Sequence, residues 1–419
     1  MKVLLFSQYF WPESFRINEV VESLLEVGCE VTVLTGQPNY PQGKTFAGYR
    51  ALNISQELHA KGYTIHRVPL IPRGKANAVG LIFNYLSFVL SSALIGPFVL
   101  RGQQFDLIFV CGMSPFTQSV SAIWLGKLKK AKVVIWVQDL WPESLEATGF
   151  IKNKSVLSAV GSVVSWIYRH CDLLLVQSKG FVSSVHSMAG NTPIKYHPNP
   201  GELAFNHTAS SAQAPAVLLS KGFNVVFAGN LGTVQALDSV LAAAEQLKAH
   251  TDINIVLVGS GSLTAWLESE IKRRNLQNVS MPGRFPVEAM PSILGQASAL
   301  LVSLCRDPII SKTIPSKIQV YLAAGKPIIA SLDGEGARVV EESGAGVACS
   351  AENASALAQA ILKLHAMPAQ KLELMGRKGV EYYQQHFEPT MLAQRLRQHF
   401  SSLLSGEPGF AKRMSGFEE

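Results

Sequence analysis

The chain has 419 residues, 47% hydrophobic and 16% charged, with 37 Lys and Arg against 30 Asp and Glu. That length exceeds one ordinary core and implies two domains of roughly 100 to 200 residues, while a mean hydropathy of +0.19 asks for apolar surface as well as core. The positive excess favours anionic partners, but no aromatic-basic module accompanies it, which excludes an ordinary nucleic-acid binder; five scattered cysteines without a C-x-x-C pair exclude a zinc site or disulfide framework.

In chain order, residues 2–9 (KVLLFSQY) read as a buried strand and 16–27 as a helix with Ile17, Val20, Val21, Leu24 and Leu25 on one face. Residues 30–35 supply the next strand. Met1 and Lys2 lead straight into the first strand without an apolar leader and cleavage site, so the body is expected in the cytoplasm. Residues 78–100 carry no charge and are long enough to span a bilayer. Their place inside a βα array predicts instead a helix lying in the membrane interface. Arg73, Lys75 and Arg101 flank them, and Asn84, Ser87, Ser91 and Ser92 interrupt them. A core helix or an oligomer surface is the plain alternative.

Strands are expected at 107–110, 132–137 and 173–176, so strand-helix-strand units recur. The Ala- and Ser-rich stretch 206–222 breaks the pattern as a linker. A second array restarts at 223–229 and continues through 253–258, 299–303 and 328–330, and the last helices, near 368–405, return toward the first half. The division expected is 1–205, 206–385 and a crossing helix with tail at 386–419. Both halves are α/β and doubly wound. Such sheets bind ligands beyond the carboxyl ends of their strands, here in a cleft between domains.

The segment 313–331, TIPSKIQVYLAAGKPIIAS, looks like an anion site. Pro315 suits a first helical turn whose amides lack intrahelical acceptors, and Ser316 and Lys317 add donors. Gly325 closes the helix and 328–330 is a buried strand. A well-capped helix without a ligand reads the same way locally. The turns Gly229-Asn230-Leu231-Gly232 and Gly259-Ser260-Gly261 each follow a strand and permit close backbone approach, although neither is a G-x-G-x-x-G fingerprint. Their convergence with Lys317 points to a nucleotide diphosphate.

The aromatic-proline turn after the first strand, the runs GCEVTVLT (28–35), PNYPQG (38–43) and QDLWPES (138–144), Pro198-Asn199, AGNLG, and PSK with YLAAGKPII resemble one family over nearly the whole chain. It is the retaining nucleotide-sugar glycosyltransferases of GT-B architecture that serve bacterial polysaccharide assembly, nearest in pattern to fucosyl- and N-acetylfucosaminyl-transferases acting on lipid-linked intermediates. The resemblance implies two facing Rossmann-like domains. The second would hold the nucleotide sugar, UDP-linked rather than GDP-linked, and the first a polyprenyl-diphosphate-linked saccharide at the inner leaflet. No cofactor, metal or nucleic acid is implied. The leaving phosphate oxygen takes the acceptor's proton in retaining members, so no protein base is named.

The chain also departs from the family. Asn230 and Gln235 stand where many members have an arginine and a lysine, so Lys317, Lys312, Arg284 or Arg16 must supply the charge at phosphate. Lys312 and Val320 replace a pair of glutamates, leaving Gln319 or a backbone group to meet the ribose. Gln138 replaces a histidine that meets a sugar 6-hydroxyl, which suits a 6-deoxyhexose donor such as L-N-acetylfucosamine or fucose. Asp139 could orient the acceptor or steady positive charge on the sugar, or simply cap a turn. Arg16 and Glu143 complete the candidate acceptor or phosphate contacts, with Gln138, Asp139 and Lys317 as the catalytic set. A sugar-nucleotide epimerase and a noncatalytic membrane scaffold are the alternative functions.

Overall fold

The computed structural model describes residues 1–75, 78–147, 151, 153–201, 219 and 221–407. Apart from 219, 221 and 222, the expected linker lies outside the described residues. The chain forms two compact units, 1–198 with 392–419, and 199–391. The first boundary falls seven residues before the expected one, because Gly201 N–H donates to Phe387 O and Gly201 lies against the Tyr383 ring, both in the second unit.

The first unit contains β1 (Lys2–Phe6), β2 (Glu30–Gly36), β3 (Ser55–Leu58), β4 (Thr64–Val68), β5 (Leu107–Gly112), β6 (Lys132–Val137), β7 (Leu173–Val176) and β8 (Ile194–Tyr196). Their order is β3-β4-β2-β1-β5-β6-β7-β8, parallel throughout except for the β3–β4 pair. Its helices are α1 (Arg16–Glu26), α2 (Ala78–Val99), α3 (Gln118–Lys129), α4 (Glu143–Ala147), α5 (Lys154–Arg169) and α6 (Val182–Ala189). Successive strand residues feed opposite cores: Leu4 and Phe6 meet Phe88, Ile123 and Ile167, whereas Val3 and Leu5 meet Ile17, Val20, Val21 and Leu24. Helices on both faces account for the continuous apolar runs of the central strands. β1 is shorter than the expected 2–9, since Ser7 onward forms a buried loop. β3 and β4 are not foreseen, because Ser55–Leu58 and Thr64–Val68 mix polar residues into short runs on the sheet edge.

The second unit contains β9 (Phe223–Ala228), β10 (Ile253–Val258), β11 (Val279–Gly283), β12 (Ala299–Ser303), β13 (Ile328–Ser331) and β14 (Gly346–Cys349), all parallel in the order β11-β10-β9-β12-β13-β14. Its helices are α7 (Leu237–Gln246), α8 (Thr264–Arg273), α9 (Met290–Gly295), α10 (Ser316–Ala323), α11 (Glu335–Glu342), α12 (Ala354–His365) and α13 (Ala369–His386). Val226 and Ala228 point to one core and Val225 and Phe227 to the other. In each unit the chain order reverses beside one strand, β1 in the first and β9 in the second, and these reversals open the crevices that ligands use. The last helix, α14 (Pro389–Ser405), sends Leu396 and Phe400 into the core of the first unit.

The α2 helix is apolar on both sides. Its inner face packs Leu81 and Phe88 into the core and adds polar anchors: Asn84 and Ser92 are fully buried, Asn84 donates to Ile71 O, Ser87 Oγ accepts from Ile71 N–H, and Ser91 donates to Pro69 O. Its outer face exposes Val79, Ile82, Phe83, Leu86, Leu90, Leu94 and Phe98, the last two at 67% and 75%. Beside it on α3, Trp124 and Leu128 are also half exposed. The span Val79–Val99 is long and apolar enough to cross a membrane, yet these hydrogen bonds fix it along its own unit.

Candidate functional site

A cavity of about 530 Å³ opens at the carboxyl ends of β9 and β10. Gly229, Asn230, Gly259, Ser260, Arg284, Ser316, Lys317 and Val320 line it, so six of the expected donor contacts converge. The glycines act differently from the expectation. Gly229 N–H already donates to Val258 O and Gly259 N–H to Gly283 O, so neither amide reaches outward. What the missing Cβ permits is loop-on-loop packing. A Cβ on Gly259 would sit 1.9 Å from Gly229 O, and one on Gly229 would sit 2.7 Å from Lys317 Cε. Both residues also take positive φ, 137° and 141°.

Pro315 is the N-cap residue of α10, with extended backbone and no side-chain cap, instead of lying within the first turn. Ser316 and Lys317, the first two residues of α10, line the cavity, and the opening amides of a helix have no intrahelical acceptor. Gly325, at φ 66°, terminates that helix as expected. Lys317 is the central charge. Its Nζ lies 3.6 Å from the Phe227 ring centroid and donates to Gln235 Oε1 at 2.9 Å. Burial pushes its ammonium down to about 7, and the Phe227 face, which favours the cation, opposes part of that shift. Gln235 is thus a partner of Lys317 through its Oε1, and it does not itself line the cavity. Gln319, also an expected donor contact, faces elsewhere: it is buried, and its Nε2 donates to Asn199 O. Lys312 closes a short 3-10 turn at Ile310–Lys312, and neither it nor Gly232 lines the cavity.

In the first unit, Asp139 follows β6 and accepts from Ser114 N–H (2.9 Å) and Ser114 Oγ–H (2.8 Å). Trp141 Nε1–H donates to Ser114 Oγ in turn. This carboxylate is fixed by the loop after β5 and caps no helix. Gln138 keeps its main chain in the sheet, N–H to Gly112 O, and its carbonyl accepts from Gln177 Nε2, while its own Nε2 is buried and has no hydrogen-bond partner among the described residues. Glu143 opens α4 and lines a surface groove with Gly161, Ser162 and Trp166 of α5, away from Asp139's anchor. Arg16 opens α1, half-buried, after an extended Phe15.

A residue missed in the sequence organises this end of the unit. Glu13 is 2% exposed, and its carboxylate accepts from the main-chain N–H groups of Phe10, Asn39 and Tyr40. Burial pushes it up to about 7, against those three hydrogen bonds. It thereby clamps the loop after β2 to the loop after β1. The signal was an acidic residue inside the apolar turn Phe10-Trp11-Pro12-Glu13.

The family described as "Glycosyl transferase 4-like domain" matches residues 14–200, and "Glycosyl transferases group 1" matches 222–367. A protein of Escherichia coli (strain K12), named as the putative colanic acid biosynthesis glycosyl transferase WcaI, is 26% identical over 341 residues, covering 78% of this chain and 82% of that one. Among solved structures, Anabaena Alr3699/HepE in complex with UDP aligns over 96% of this chain and 100% of its own, with TM-score 0.68 and 15% identity. Sucrose-phosphate synthase from Thermosynechococcus elongatus aligns over 97% and 100%, with TM-score 0.70 and 18% identity.

Proposed function

Because the chain is a GT-B glycosyltransferase, with a 4-like domain followed by a group 1 domain, we propose that it transfers a 6-deoxyhexose, L-N-acetylfucosamine or fucose, from a UDP-sugar to a polyprenyl-diphosphate-linked saccharide during polysaccharide assembly. The two matches favour transfer over the epimerase and scaffold readings. The observation that carries the donor half is Lys317, a desolvated ammonium at the mouth of a strand-end cavity and at a helix start. As the sugar leaves, negative charge grows on the diphosphate. Lys317, Arg284 and the α10 amides are the groups that would stabilise it.

The sugar is argued from Gln138, which stands where the resemblance implies a histidine for a 6-hydroxyl, a contact that a 6-deoxyhexose does not need. Polysaccharide assembly is supported by the WcaI relative, and UDP by the nucleotide held in the Alr3699/HepE complex. The outward apolar stripe of α2 supports a cytoplasmic enzyme lying on the inner leaflet, since such a face gains by entering acyl chains. Lys127 and Lys130, exposed beside Trp124 and Leu128, would meet anionic headgroups. Lys129 and Lys132 are otherwise engaged, Lys129 with Leu100 O and Gln103 O and Lys132 with Asp172.

Thermal unfolding with UDP, GDP and no ligand tests the donor reading. UDP at about 100 times its Kd should stabilise the native state by roughly 2.7 kcal/mol, and the Lys317→Ala variant should need far more UDP for the same shift. No shift with UDP, or an unchanged response in the variant, would overturn the assignment.

A further inference from the structure

The first unit holds a further cation, Arg73, that forms no ion pair among the described residues. Arg73 ends the segment after β4, its main-chain N–H donates to Asn39 Oδ1, and its guanidinium carbon lies 5.0 Å from the Tyr40 ring centroid. Its Nε is buried without a hydrogen-bond partner, and among the described residues no carboxylate lies within ion-pair distance. Arg67, on β4 itself, shows what a structural guanidinium looks like here. It is fully buried and binds Glu57, Gly36 O and Trp11 O. Arg73 has no such set.

Its neighbours suit a phosphate. Tyr9 and Tyr85 both lie within the reach of its charge, as they do of the Glu13 and Asp139 carboxylates respectively, and Tyr9, Tyr40 and Phe15 form a cluster with ring centroids 5.0 to 5.8 Å apart. The frame is stiff. Glu13 clamps the Asn39–Tyr40 loop, and Asn84 of α2 accepts from Gln8 Nε2 and Tyr9 Oη while donating to Ile71 O, two residues before Arg73. Thus the cation, the loops after β1 and β2, and the inner face of α2 form one block, and α2 begins five residues further on with an apolar side outward.

We propose that Arg73, rimmed by Tyr9, Tyr40 and Tyr85, binds the diphosphate of an amphiphilic acceptor whose hydrocarbon tail follows the outer stripe of α2. Guanidinium matches phosphate in a bidentate fork, and the Tyr40 and Tyr85 phenols add O–H donors, that of Tyr9 being given to Asn84 Oδ1. The inference rests on the lipid-linked acceptor proposed above and names its anchoring residue. Inorganic pyrophosphate shares the anion but has nothing to lay on the stripe.

The test is calorimetric titration of the full chain, saturated with UDP, with farnesyl diphosphate, inorganic pyrophosphate and farnesol. Farnesyl diphosphate should bind more tightly than either fragment, and Arg73→Gln should weaken it by about tenfold or more, the worth of a charged hydrogen bond. Arg73→Lys should fall between. UDP binding and melting temperature should be unchanged in Arg73→Gln. Equal binding of farnesol and farnesyl diphosphate, unchanged affinity in Arg73→Gln, or loss of farnesyl diphosphate in Lys317→Ala instead would overturn the proposal. Failure of the donor reading is visible separately, as absence of any UDP effect on the wild type. The same titrations without UDP then apply the same criteria to Arg73.

Discussion

Lys317 illustrates how position makes one residue type do a special task. A lysine at a helix start is ordinarily solvated and charged, but here burial against Phe227 and Gln235 holds it near 7. Its folded value lies below its unfolded value of 10.5, so the empty protein binds fewer protons than the unfolded chain between about 7 and 10.5, and this residue's contribution falls as pH drops through that window. A bound diphosphate reverses the balance by favouring the ammonium. UDP binding at about pH 7.5 should therefore take up a fraction of a proton. Calorimetry in two buffers of different ionisation enthalpy should give different apparent enthalpies for the wild type and equal ones for Lys317→Met. Equal enthalpies in the wild type would refute this account. The lysine itself was legible from the run PSK, whereas its low proton affinity was not, because Phe227 and Gln235 lie 90 and 82 positions away in sequence. Glu13 was likewise visible only as an oddly placed acid.

At the scale of elements, α2 and α14 carry the testable consequences. The exposed stripe of α2 predicts that the protein sediments with anionic vesicles and is released by high salt or alkaline carbonate, as an interfacial helix would be. Leu90→Asp with Leu94→Glu should leave it in the supernatant at an unchanged melting temperature, since both side chains point outward; carbonate-resistant wild type would indicate a span. α14 is clasped by histidines. His399 is pushed down to about 4 by burial and by Lys195 and Arg395, and the ring of His197, also depressed by burial, lies 6.0 Å from it. Both are folded in the neutral form. The unfolded chain binds more protons between about 6.5 and 4, so stability is present above 6.5 and is lost as pH falls toward 4. The protection of residues 392–405 against hydrogen exchange, relative to the intrinsic rate at each pH, should fall between about pH 7 and 5, and His399→Gln should flatten that response. The uncharged apolar run 78–100 announced α2, but only the hydrogen bonds of Ser87, Ser91 and Asn84 show which of its sides faces the protein.

At the scale of the whole molecule, the proposed chemistry is electrostatic stabilisation by protein cations and amides. Among the described residues no group of three or more His, Cys, Asp or Glu could hold a metal. Turnover is expected to survive chelation. An activity lost with EDTA and restored by a divalent ion would require a different account of the leaving diphosphate. The recurrence of buried strands separated by helical periods determined from sequence alone that there are two α/β units, since parallel strands buried on both faces must be continuous apolar runs joined by crossovers. The turns at Gly229 and Gly259 and the PSK helix start were equally legible, being local chain features. The tertiary structure alone decided the strand orders, the edge pair β3–β4, the diversion of Gln319 to Asn199, the Glu13 clamp and the placing of Arg73 over Tyr40. Each depends on which side chains or main-chain groups meet across long sequence separations, and a sequence records the residues without recording their partners.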